Sequence, residues 1–161
     1  MVTDEQSRKN ALVRVAASVD GDAIGELLHD FNTEFEDPTP PPAQLAERMR
    51  FLLELGDTVV LLAGGGPDGL AVLRFRLSIW SSNLECYLAE LYVKPERRGR
   101  GLGRALMEAA IDTAQQQGAS YMDLGTSEAD VVARRLYERL GFSNRERRPD
   151  GPVMYVYERD L

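Results

Sequence analysis

The chain has 161 residues, 43% of them hydrophobic and 28% charged, the size of one domain whose core needs no covalent staples. A single cysteine excludes an internal disulfide framework or multi-thiolate cluster, and a single histidine excludes most zinc sites, so no metal is expected. The formal net charge of −7 argues against nucleic-acid binding, which needs a broad positive face.

Residues 1–6 lack the apolar core of a signal peptide and no run reaches membrane-spanning length. A cytoplasmic protein with no membrane partner is therefore expected. Residues 12–16 read as a short strand. Residues 20–31 carry Ile24, Leu27, Leu28 and Phe31 at helical spacing. The stretch 32–42 holds Glu34, Glu36, Asp37 and four prolines and cannot remain a regular helix. Helical periodicity resumes over 43–55 and stops at Gly56. Three extended segments follow, at 58–63, 70–79 and 84–93, with a glycine-rich hairpin turn at 64–69 and a second loop at 80–83 containing Trp80. Cys86, inside the third, reads as a buried inert thiol. His29 reads as a surface or packing residue. A helix over 101–117, a strand over 121–124 and a helix over 128–140 come next. Segments 142–147 and 153–158 flank a Pro-Asp-Gly-Pro turn and predict a closing hairpin whose edge strands would suit a homodimer. The predicted order is βααβββαβαββ, with no repeat and no linker, so residues 1–161 read as one domain.

The densest chemistry lies between Glu90 and Met107. An apolar strand meets a basic, glycine-punctuated turn that opens into an amphipathic helix. Such a turn aims unpaired backbone N–H groups and the positive end of a helix at one point, and Arg97, Arg98 and Arg100 add full charges. That combination suits a pyrophosphate. A Walker loop would end in Gly-Lys-Ser/Thr, but Gly103 is followed by Arg104 and Ala105. A dinucleotide fingerprint fails in both registers, because its third glycine position falls on Leu106 or on Arg104.

What remains is Arg98-x-x-Gly101-x-Gly103, which resembles the Gln/Arg-x-x-Gly-x-Gly/Ala signature of the GNAT superfamily of acetyl-coenzyme A-dependent N-acetyltransferases. Residues 128–142, ending in Leu-Tyr-Glu-Arg-Leu-Gly-Phe, resemble a second segment of that family. The element order is also similar to the family's. The resemblance implies an α/β (α+β) GNAT fold with a mixed, mostly antiparallel sheet of six to seven strands flanked by four helices. It implies transfer of acetyl from acetyl-CoA to a primary amine by direct attack in a ternary complex. The alternative is an acyl-CoA-binding sensor or interaction module on the same fold. The acceptor would be a small-molecule or peptide amine.

Roles follow from the resemblance. Leu91, Tyr92 and Val93 would offer main-chain groups to pantetheine, with the Val93 N–H as oxyanion donor; their side chains read as core. Arg98, Gly99, Arg100, Gly101, Leu102, Gly103 and Arg104 would surround the pyrophosphate, although Arg104 could instead pair with Glu108 one turn on. Tyr137 falls where the family places the acid that protonates the leaving thiolate, and it also borders an apolar stripe. Asp130 stands where family members often carry Asn for a cofactor contact. Glu90 could remove the ammonium proton through a water, or serve as a structural carboxylate. Glu34 would line the acceptor loop or be simply solvated. Trp80 would be an acceptor wall or a core anchor.

Overall fold

The computed structural model describes residues 12–161; the signal-peptide reading of residues 1–6 lies outside them. Residue contacts divide the chain into two units, one ending at Leu124 and one running Gly125–Leu161. The first unit holds a five-stranded sheet in the order β1-β2-β3-β4-β5: β1 Val13–Val15, β2 Thr58–Ala63, β3 Gly69–Leu77, β4 Leu84–Val93 and β5 Ala119–Leu124. β1 to β4 are antiparallel, and β5 runs parallel to β4.

Side-chain alternation sorts the sheet into two covered faces. On one, Val60, Leu62, Leu70, Val72 and Tyr92 join Ile24 and Leu27 of α1 (Gly21–Glu34) and Met49 of α2 (Pro42–Leu55) in a single core. The intervening residues Leu61, Ala71, Leu73, Cys86 and Leu88 are also buried, as are Leu102, Leu106, Met107 and Ala110 of α3 (Leu102–Gln116), which packs along the sheet. Burial on both sides explains why β2 and the start of β3 read as unbroken apolar runs. α1 and α2 approach closely at Gly25, where a Cβ would run into Pro42 O and sit 2.8 Å from Ala46 N.

α1 continues three residues past its predicted end. The prolines that break it begin only at Pro38, and the break comes at Glu36, whose φ is +57°. Glu34 therefore belongs to the last helical turn and not to a loop.

The second unit contains α4 (Val131–Arg139), capped by Asp130, whose carboxylate accepts from Ala133 N–H at 3.0 Å. The predicted closing hairpin does not form, so the described sheet has five strands and not six or seven. A single bridge, Arg145 to Val153, joins the two segments. Arg147 adopts φ +62°, and Pro149 and Pro152 have no N–H to donate. Tyr155, Val156 and Tyr157 are exposed and outside any strand.

Candidate active site

The ladder between β4 and β5 stops at Leu88–Leu124, while β4 runs on to Val93 beside β3. Just there the β3 pairing skips a residue: Leu73 faces Leu88 and Val72 faces Glu90, leaving Ala89 as a bulge that bends the strand. Lys94 N–H donates to Asp68 O at 2.9 Å, which places Tyr92 and Glu90 in hydrogen-bonded pairs with β3. In an antiparallel ladder such pairs alternate, so Leu91 and Val93 turn their N–H and C=O groups to the side that β5 has vacated.

The bulge also sets Glu90. Opposite buried Val72 and two residues from Tyr92, it lies on the face of the α1–α2 core. Half-buried and without a hydrogen-bond partner among the described residues, its carboxyl is pushed up by burial. The Tyr92 ring stacks on Phe31 with centroids 5.2 Å apart. An open cleft of about 400 Å³ lies alongside, lined by Asp30, Thr33 and Glu34 of α1 and by Tyr92, Lys94 and Glu96.

After β4, a 3-10 turn at Pro95–Arg97 leads to Gly99 and Gly101, at φ +73° and +82°. A Cβ at either would meet nothing within 4 Å, so the requirement is the left-handed backbone and not space. Gly101 is the N-cap of α3 and brings no side-chain cap, and the first helical bond is Ala105 N–H to Gly101 O at 2.9 Å. The N–H groups of Leu102 and Gly103 are thus left pointing out of the helix end.

The arginines of this turn have different fates. Arg97 reaches Asp68 at 3.4 Å, and Arg104 pairs with Glu108 at 2.8 Å. Arg98, expected at the pyrophosphate, grips both Glu34 oxygens at 2.7 and 2.6 Å and donates from Nε to Val93 O at 2.9 Å. That fork holds the Glu34 carboxyl below its usual range. Arg100 has no protein partner among the described residues.

Trp80 is 90% exposed in the loop before β4. Six steps of extended strand separate Leu84 from Glu90 and nine separate it from Val93, roughly 20 and 30 Å at about 3.3 Å per residue, so Trp80, which precedes Leu84, lies toward the end of β4 away from Glu90 and from the contact of Val93 with Arg98 and Glu34. His29 Nδ1 donates to Pro40 O at 3.0 Å, a packing role. Cys86 is fully buried, its thiol pushed up to about 11 by burial and by Asp123. In the second unit, Tyr137 is buried edge-on to Phe142, and burial and the Asp130 charge push its phenol up to about 12. Asp130 and Tyr137 are thereby tied to the start and the last turn of one helix.

A bulged, half-released strand running into an uncapped helix end could hold a long ligand with an anionic head. The model of the acetyltransferase (GNAT) family matches residues 17–142, and the chain belongs to that family. It is 44% identical to a candidate acetyltransferase from Arthrobacter sp. FB24 known from a crystal structure, with a TM-score of 0.85, 93% of this chain and 96% of that chain being covered. It is 32% identical to the N-acetyltransferase YhfO of Bacillus subtilis over 81% of this chain and 88% of that protein. A thialysine N-epsilon-acetyltransferase of Bos taurus is 33% identical over 51% of each chain. The chain spans only about a third to a half of the length of several curated relatives it matches.

Proposed function

We propose that the chain transfers an acetyl group from acetyl-CoA to a primary amine by direct attack. The observation that carries this reading is the release of β4 from β5 beyond Leu88, immediately ahead of the glycine turn and the uncapped start of α3. The residues fit the co-substrate. Leu91 offers its main-chain N–H and C=O and Val93 its N–H along a vacated edge, Gly99 to Arg104 form the phosphate cradle, and Arg100 supplies a charge no described residue claims.

Acetyl-CoA supplies an acetyl thioester. In this reading the Val93 N–H donates to the acetyl oxygen. Glu90, its carboxyl raised by burial, takes the ammonium proton through a water. The cleft carboxylates Asp30 and Glu96 favour a cationic acceptor. Tyr137 carries the acid role on the strength of the Leu-Tyr-Glu-Arg-Leu-Gly-Phe segment, and a phenol held near 12 stays protonated and able to donate. Asp130 acts as the helix cap, where Asp and Asn serve alike. In this reading residues 1–161 form one catalytic domain; the family match over residues 17–142, which runs unbroken across the Leu124–Gly125 boundary, supports it. An amine acceptor is favoured by the relatives named thialysine and streptothricin acetyltransferases. Thiol release from acetyl-CoA with a panel of amines tests the whole reading; release with no amine above the rate in water overturns it.

A further inference from the structure

We propose that Arg98 is a positioning residue and not a phosphate ligand: it stands in for the strand that β4 loses beyond Leu88 and fastens the last turn of α1 to Val93. The inference rests on the acetyl-CoA reading above and adds a coupling between the α1 end of the acceptor cleft and the donor strand.

The chemistry is that of a guanidinium used on two edges. Nε donates to Val93 O at 2.9 Å, the bond a neighbouring strand would have made. With that carbonyl held, β4 stays extended through its last residue and the Val93 N–H keeps its aim along the vacated side. The other edge forms a fork on both oxygens of Glu34 at 2.7 and 2.6 Å, across 64 positions of sequence. This bidentate geometry fixes the guanidinium plane, which a lysine ammonium cannot reproduce. The guanidinium carbon also lies 5.8 Å from the centroid of Tyr92, whose ring stacks on Phe31 of the same helix. Glu34 meanwhile offsets the Arg98 charge, which makes the pair a poor receiver for a pyrophosphate.

The test uses Arg98→Lys, Glu34→Gln and the double variant, with two probes. Calorimetry with CoA reads the phosphate site. The infrared carbonyl stretch of bound acetyl-CoA, carbon-13 labelled in the acetyl group, reads the Val93 N–H. We expect CoA affinity within about threefold of the parent in all three. Both single variants should lose much of the carbonyl shift, and the double should be no worse than either. A loss of CoA affinity of about tenfold or more in Arg98→Lys, with Glu34→Gln unchanged or tighter, would make Arg98 a phosphate ligand and overturn the proposal. So would a parental carbonyl shift in both single variants. A parent that binds no CoA would instead bring down the acetyl-CoA reading itself, a separately recognisable result.

Discussion

Glu90 sets a carboxylate against Val72 on a face otherwise filled by Tyr92 and the α1–α2 core, and no described group compensates it. A carboxyl whose folded pKa is raised costs stability above that pKa and none well below it. Glu90→Gln should therefore raise the neutral-pH Tm while lowering turnover. The acid limb of the parent's kcat/KM profile should lie above the ordinary carboxylate range near 4.3 and vanish in the variant. A variant with the parent's profile would remove Glu90 as the base. Tyr137→Phe keeps the buried ring and deletes only the hydroxyl. It should lower kcat by about a hundredfold or more, the range of a positioned acid, with CoA affinity within about threefold. Equal turnover would leave Tyr137 a packing residue against Phe142.

At the scale of elements, two joints hold the segments that carry the proposed site. The first is the turn into α3. Gly101→Val places a branched side chain at φ +82°, a conformation that costs an ordinary residue about 1–2 kcal/mol. The helix start should shift and CoA affinity should fall by at least about tenfold, as calorimetry would show. The second is the joint between β1 and α1. Asp20 receives both Arg14 nitrogens at 2.9 and 2.7 Å and the Ala17 N–H at 2.8 Å, and its carboxyl is held down to about 2. Because the unfolded value is about 3.9, this stabilisation is complete above about pH 4 and is lost as pH falls towards about 2. Urea midpoints of the parent and Asp20→Asn should converge over that interval. Between α1 and α2, Gly25→Ala should destabilise by about 1–3 kcal/mol, because the added Cβ meets backbone that cannot step aside.

For the whole molecule, the kinetic order of the proposed transfer follows from where the one cysteine lies. Cys86 is fully buried on the sheet face that faces away from Glu90, with its thiol raised to about 11, so a thiolate that could accept acetyl is not formed at neutral pH. Initial-velocity plots against acetyl-CoA and amine should intersect, and mass spectrometry should find no acetyl retained on the protein. Parallel plots with an acetylated intermediate would contradict direct attack. Among the described residues no helix is long and apolar enough to cross a membrane.

The sequence by itself determined most of the local order. Strand and helix periodicities marked every strand and α-helix of the first unit to within a few residues, because apolar alternation and the 3.6-residue stripe are written locally, whereas the 3-10 turns at Ser18–Asp20 and Pro95–Arg97 carried no such signal. The Arg98-x-x-Gly101-x-Gly103 turn was equally legible, since positive φ at glycine and an uncapped helix start are properties of neighbouring residues. The Pro-Asp-Gly-Pro turn between 142–147 and 153–158 promised a hairpin, yet strands need a partner ladder, and only one bridge forms between the two segments. Only the tertiary structure decided that three of the turn's four arginines are committed to carboxylates and Arg100 is not, that Glu34 ends a helix and meets Arg98 from 64 residues away, and that Trp80 stands at the far end of β4. Those outcomes turn on strand register, on a one-residue bulge at Ala89 and on where α1 stops, quantities set by packing across the chain and carried by no local spacing.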